Sequence, residues 1–319
     1  MENSGLNYAF LRASGVRTGL ARAWVRVTGE DAATFLQGQC TQDVHKMQAG
    51  EARMALWLTL KGRVIGESLV LRGASASDWW LWSAFTEGET LKARLEEFII
   101  ADDVVVEDCG AGWEQTTLAG EAARAWLHEA LGGVEPPTEG AWAELRGGVV
   151  LAGRRGQEHG WDWLRPAGGA SVEAEWAAAG LGELTEEALR RARLAAGVPA
   201  IPDEFGPADL PQEAGLETVA ISFNKGCYLG QEVMARLHAM GQVRRRLVRV
   251  TGEGAAVAKG AGLRAMATGK RVGEVRAAAA DGRGGWLGLA MVNLLGLDAG
   301  ADFELEAEPG RKVQLEDRP

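Results

Sequence analysis

From about residue 242 the chain changes to short apolar runs, at 247–250, 272–275, 286–291 and 303–305, punctuated by turns at Gly252, Gly254 and Asp281-Gly282. Runs of that length between turn residues are strands, not helices. Strands with no helix among them bury their apolar faces against one another, so residues 242–319 form a β unit of their own.

The chain upstream follows a mixed pattern. Residues 24–27, 52–60, 63–71 and 103–107 have strand-like content. Residues 29–36 open on a Gly-Glu-Asp turn and continue as a short helix with Phe35 and Leu36 facing inward, and 87–98 form a helix with Leu91, Leu95 and Phe98 on one face. A third helix is expected at 183–196, acidic in its first turn and stopped by Gly197 before Pro199. This is an α+β order, and 319 residues exceed what one core serves, so 1–241 should hold two subdomains. Pro136 and Pro137 mark 132–140 as a loop, and the turn-rich 202–211 is placed to wrap across a pocket. Strand alternation puts Trp80 and Trp82 on one face, where they fill a core. Residues 110–180 carry no motif.

One string concentrates chemistry: Lys225-Gly226-Cys227-Tyr228-Leu229-Gly230-Gln231-Glu232, leading into an amphipathic helix over 231–240. A thiol ahead of a helix and two residues from a lysine has two reasons to ionise, the helix dipole and the cation, which makes Cys227 a candidate nucleophile or redox group. Gln37-Gly38-Gln39 offers two carboxamides to a heteroaromatic ligand, or a helix C-cap at Gly38. Arg244-Arg245-Arg246 is either a solvated strand entry or a contact for phosphate or polyglutamate.

Composition narrows the classes. With 34 basic and 44 acidic residues the formal charge is -10, which argues against a surface adapted throughout to nucleic acid, and no direct nucleic-acid partner is expected. No apolar run is long enough to cross a bilayer, and Met1-Glu2-Asn3-Ser4 does not open a signal peptide, so a cytoplasmic protein without membrane contact is expected. Cys40, Cys109 and Cys227, with histidines at 45, 128, 159 and 238, show no disulfide or metal-ligand spacing, so no metal site is expected. No heptad pattern argues for an oligomer, and a monomer is the default.

The octad resembles the signature of YgfZ-type folate-binding proteins, relatives of the glycine-cleavage T protein (aminomethyltransferase). The resemblance extends to Val27-Thr28-Gly29-Glu30-Asp31-Ala32, to Phe35-Leu36-Gln37-Gly38-Gln39-Cys40-Thr41-Gln42-Asp43-Val44, to Arg193-Leu194-Ala195-Ala196-Gly197-Val198-Pro199 and to Leu210-Pro211-Gln212-Glu213-Ala214-Gly215-Leu216. It implies a T-protein-like fold of mixed sheets and helices around a central pocket over 1–241, closed by a small C-terminal β-barrel over 242–319. It implies tetrahydrofolate or a derivative as cofactor, and iron-sulfur enzymes or their assembly proteins as partners. It also implies a site drawn from Gln37, Gln39, Lys225, Gly226, Tyr228, Gly230, Gln231, Glu232 and Arg236, with Cys227 as the candidate catalytic group.

Two departures shape the expected function. Where the aminomethyl-transferring relatives carry a catalytic aspartate, this chain reads Gly62-Arg63-Val64-Ile65-Gly66-Glu67, so aminomethyl transfer is not expected. Where relatives read Arg-x-Glu-Ala-Gly, Ala195 replaces the acid that pairs with the pterin, which leaves Glu213 or Glu217 to supply it. The leading expectation is a folate-binding protein that supports iron-sulfur protein assembly or repair and thereby tRNA modification. A folate-dependent one-carbon transferase or demethylase, and an interaction scaffold that has lost folate, are the alternatives.

Overall fold

A computed structural model describes residues 14–154, 160–295 and 302–316. Met1–Ser4 and His159 lie outside the described residues. The strands are β1 Gly15–Leu20, β2 Ala23–Thr28, β3 Ala52–Leu58, β4 Val64–Arg72, β5 Asp78–Ser83, β6 Val105–Asp108, β7 Trp113–Ala119, β8 Trp142–Leu145, β9 Gly148–Ala152, β10 Gly160–Pro166, β11 Gly182–Glu183, β12 Arg245–Glu253, β13 Gly262–Ala265, β14 Arg271–Ala280, β15 Gly285–Asn293, β16 Phe303–Leu305 and β17 Glu308–Leu315. The helices are α1 Ala32–Gln39, α2 Gly88–Glu96, α3 Glu121–Ala130, α4 Glu173–Ala178, α5 Glu186–Ala195, α6 Glu217–Ala220 and α7 Gln231–Met240.

The first sheet runs in the order β3-β4-β5-β2-β6. Strand alternation divides its side chains cleanly. Val25, Val27, Trp79 and Leu81 turn to one face, where Phe35 and Leu36 of α1 and Leu91 and Leu95 of α2 cover them. Trp24, Trp82 and Leu71 turn to the other, against Leu151 and Leu164 of a second sheet. The tryptophan reading holds: Trp80 shares the Trp82 face and stacks on Trp24 with ring centroids 4.5 Å apart.

The second sheet, β11-β1-β7-β10-β9-β8, occupies most of the stretch that carried no motif. Its far face, with Leu118, Trp161 and Trp163, is covered by Trp126 and Leu127 of α3 and Trp176 of α4. The loop at 132–140 ties the two sheets together, because the Gly140 carbonyl accepts from Ala52 N in the first sheet and the Pro137 carbonyl from the Trp161 indole in the second.

The C-terminal strands close into a six-stranded barrel, in the order β12-β15-β14-β13-β16-β17. Gly252 is not in a turn. It is a β12 residue paired with Trp286, where a Cβ would stand 2.6 Å from the indole nitrogen, so glycine lets the ring cross the strand. β13 and β17 were not legible, since β13 has four residues and β17 has charged and glycine positions on its outward face.

The barrel docks through apolar and ionic contacts. Leu194 and Ala195 of α5 pack on Ala277, Ala279, Leu287 and Leu289. The Arg245 guanidinium grips both carboxylate oxygens of Glu213, at 3.0 and 2.9 Å, and shares the buried Asp209 with Arg276. Burial would depress Arg245, but the hydrogen bonds and charges of Glu213 and Asp209 outweigh it and hold its pKa above the ordinary arginine value. The turn-rich stretch at 202–211 supplies this dock, with Ile201 and Phe205 buried against Leu56 and Leu58 of β3.

Candidate functional site

Outward from β3 the first sheet is shared between two neighbours. Leu71 and Ala52 meet the second sheet, while Leu56, Leu58 and Met54 meet the linking segment at 200–234. At the seam is a cavity of about 380 Å³ lined by Gln42, Met54, Leu69, Arg154, Val198 and Val219, among others. Of its two arginines, Arg53 and Arg154, the latter touches the Met54 sulfur and stands 3.9 Å, Nε to Oε2, from Glu67.

Glu67 follows from β4 geometry. The side of the strand to which Gly66 turns is filled by Thr86 and Leu91, which a Cβ would meet at 2.8 and 3.6 Å. The next residue turns the opposite way, to the side on which Leu69 lines the cavity, and Glu67 lies buried behind Arg154 instead of in the lining itself. The buried carboxylate accepts from Ser83 Oγ at 2.5 Å through Oε1. Its Oε2 has no hydrogen-bond partner among the described residues. An acid at 67 therefore stands on the side of the sheet that an acid at 66 would not reach, and a buried carboxylate with an open oxygen beside a guanidinium can receive a donor-bearing ligand.

The octad is built differently from its sequence expectation. Lys225 does not face Cys227. Its ammonium reaches across to the end of α1 and donates to the carbonyls of Gln37, Cys40 and Gln42 at 2.7, 2.8 and 2.6 Å. Burial lowers the Lys225 pKa, partly countered by Cys40 and Asp43, and the thiol it lies near is Cys40, whose own pKa burial raises. Tyr228 is buried with Met234 and Leu58, and burial pushes its hydroxyl up to about 12. Gly230, at φ +85°, lies where a Cβ would stand 2.7 Å from the Thr59 carbonyl, and Gly62 opposite it meets Val233 and Met234 of α7. The octad thus clamps α7 to the β3–β4 turn and to α1. Gln231 Oε1 completes it by accepting from Tyr228 N at 3.3 Å.

Around this clamp the remaining predicted residues divide. Gly38 lies inside α1, not at its cap, which is Cys40. Gln37 folds over the following loop, accepting from Val44 N at 2.8 Å and donating to Asp43 at 3.1 Å, and Gln39 accepts from Arg94 at 3.1 Å. Their carboxamides hold the protein's own groups instead of facing a ligand. Gly226, Cys227, Glu232 and Arg236 are exposed and do not line the central cavity, so the structure separates the candidate thiol from the pocket.

The replacement acids also separate. Ala195 faces the barrel, so an acid there would meet Leu287 and Leu289 rather than a ligand. Glu213 is committed to Arg245 and to the backbone N–H of Leu210. Glu217 keeps a buried oxygen without a hydrogen-bond partner among the described residues. Arg154 and the open oxygen of Glu67 escape sequence reasoning as a pair, because one follows β9 of the second sheet, the other is in β4 of the first, and no local spacing links them.

Among the described residues no group of three or more His, Cys, Asp and Glu could hold a metal ion, and no helix is long and apolar enough to cross a membrane.

Residues 21–140 match the model of the GCVT N-terminal domain. The tRNA-modifying protein YgfZ of Edwardsiella ictaluri is 30% identical over 232 residues, covering 70% of this chain and 66% of that protein. The mitochondrial iron-sulfur cluster assembly factor IBA57 of Mus musculus is 28% identical over 293 residues, covering 85% and 75%. Its homologue in Cryptococcus neoformans is 28% identical over 252 residues, covering 71% of this chain and 63% of its own length, so that match spans less than two thirds of the relative. In structure, the glycine cleavage system aminomethyltransferase T of Bartonella henselae superposes with a TM-score of 0.81 at 19% identity, covering 97% of this chain and 86% of that one, which establishes the shared fold, barrel included. By motif, sequence and fold together, the chain belongs to the T-protein-related family as a YgfZ-type member.

Proposed function

We propose that the protein binds a reduced folate in the central cavity and, in that state, supports assembly or repair of iron-sulfur proteins, including tRNA-modifying enzymes. The observation that carries the folate reading is the open Oε2 of Glu67, buried 3.9 Å behind Arg154, which lines the cavity. A pterin presents adjacent N–H donors suited to a carboxylate, and its carbonyl suits a guanidinium, so Glu67 and Arg154 would hold the ring while Met54, Leu69 and Val198 exclude water from it. Tetrahydrofolate supplies a one-carbon carrier when bound. The iron-sulfur role is supported by the names of the bacterial and mitochondrial relatives, and the cytoplasm remains the proposed location.

Calorimetric titration with 5-formyl-tetrahydrofolate tests the reading. Saturable binding that weakens about tenfold to a hundredfold in Glu67→Gln is expected, in line with loss of a charge-assisted hydrogen bond. Absence of binding to the folded wild-type protein would retire folate as the ligand.

A second reading, folate-dependent one-carbon transfer, is favoured by the same carboxylate, since Glu67 stands on the cavity side of β4 with a proton acceptor available. Methylene-tetrahydrofolate and free amine produced from tetrahydrofolate and an aminomethyl donor whose one-carbon unit is already at the formaldehyde oxidation level, and lost in Glu67→Gln, would establish it. No turnover by a protein that binds folate would leave the non-catalytic role.

A further inference from the structure

A second cleft, of about 810 Å³, lies one turn further along the same face of α7 from the octad's clamp, between α6, Leu237 and His238 of α7 and the residues that lead into β12. It goes beyond the folate reading, and none of the central-cavity residues lines it. Two of its side chains have unmet hydrogen-bonding demand. Gln212, buried to within 8% of full coverage, gives its amide N–H to the Met234 sulfur and leaves its Oε1 buried without a partner among the described residues. Glu217 leaves a buried Oε2 likewise unpartnered among the described residues. Both are acceptors, so the missing occupant is a donor.

The walls say more about it. Phe223 and His238 stack with ring centroids 3.8 Å apart and an interplanar angle of 16°, and both line the cleft. At the rim are Arg244 and Arg246. Strand alternation sends Arg245 inward to Glu213 and leaves these two exposed, with no carboxylate partner among the described residues. Acceptors inside, an aromatic wall and a guanidinium pair outside suit a planar donor-edged ring carrying an anionic tail.

We propose that this cleft binds a guanine nucleotide. Guanine presents a ring N–H and an exocyclic amino group side by side, which a carboxylate accepts as a pair, whereas adenine offers one amino group next to a ring acceptor that would face Glu217 repulsively. Gln212 Oε1 takes a further donor of the same edge. The phosphate goes to Arg244 and Arg246, whose planar forks match its oxygens.

The test is titration of the full chain with GMP, AMP and inorganic phosphate at low salt. GMP is expected to bind saturably, at least about tenfold more tightly than AMP, as expected for one misplaced hydrogen-bonding edge. Glu217→Gln should remove that preference while leaving 5-formyl-tetrahydrofolate binding unchanged. Arg246→Ala, at an exposed position that spares the fold, should weaken GMP and flatten its salt dependence. No GMP binding by the folded wild type, equal binding of AMP, or phosphate competing as well as GMP would each overturn the proposal. So would displacement of GMP by 5-formyl-tetrahydrofolate with loss of both in Glu217→Gln, which would assign the cleft to folate. Failure of folate binding alone, through Glu67→Gln, bears on the central cavity and not on this cleft.

Discussion

The ammonium of Lys225 donates to the carbonyl oxygen of Cys40 at 2.8 Å, across 185 residues of chain. With Gln37 and Gln42 it makes three such bonds from one group. Lys225→Met keeps the stem and removes all three donors, leaving acceptors that cost about 1–3 kcal/mol each when buried without partners. Partial hydration lowers the sum, and a loss of about 2–4 kcal/mol is expected by urea denaturation. Wild-type stability in this variant would show that the clamp holds nothing.

The two motif glycines should behave unequally. Gly230→Ala must place a Cβ at φ +85° and 2.7 Å from the Thr59 carbonyl, and is expected to lose about 1–3 kcal/mol. At Gly226 a Cβ meets nothing within 4 Å, so Gly226→Ala should stay within about 0.5 kcal/mol of wild type. Equal losses in denaturant would sink the steric account.

Thiol labelling should proceed in order of exposure. Cys227 is exposed, Cys109 half-buried and Cys40 buried, with burial raising the pKa of Cys40 and, together with Glu107 and Asp108, that of Cys109. A disulfide reagent followed by mass spectrometry should modify Cys227 first and Cys40 only once denaturant is added. Early modification of Cys40 in native protein would contradict the packing.

Tyr228 has a folded pKa of about 12 against an ordinary 10.0, so between those values the native state keeps a proton that the unfolded chain releases. Its contribution is complete below pH 10 and is lost as pH rises toward 12. Stability curves of wild type and Tyr228→Phe should therefore converge or cross over that window, the wild type falling more steeply. Parallel curves would remove Tyr228 from the alkaline transition.

Restoring the family's acid with Ala195→Glu tests where position 195 points. Facing Leu287 and Leu289, a glutamate there should destabilise the barrel dock by several kcal/mol on the order of a buried unpaired charge, with no gain in folate affinity. Tighter folate binding would place position 195 in the pocket instead.

What could be read from the residues was whatever repeats locally. Leu91 and Leu95 at helical spacing marked α2, an acidic first turn and the Gly197 stop marked α5, and the apolar runs after 242 marked four barrel strands. Cys227 and Lys225 show the opposite case. Two residues of separation put them together in the sequence, but the chain bends at Lys225, so the lysine reaches inward to α1 while the thiol stays at the surface. Glu67 and Arg154 were out of reach for a related reason, since they meet only because the bend after β9 of the second sheet approaches β4 of the first, and 86 intervening residues carry no trace of that approach.

The clamp also bears on how the protein is made. A ribosome that has released residues up to 108 has produced every strand of the first sheet and both helices on its inner face. The carbonyls of Gln37, Cys40 and Gln42 still await Lys225, and Leu56 and Leu58 still await Ile201, Phe205 and Tyr228. The earliest part of the chain to be synthesised is among the last to be completed, and through that interval the nascent sheet presents one bare apolar flank to whatever meets it at the exit tunnel.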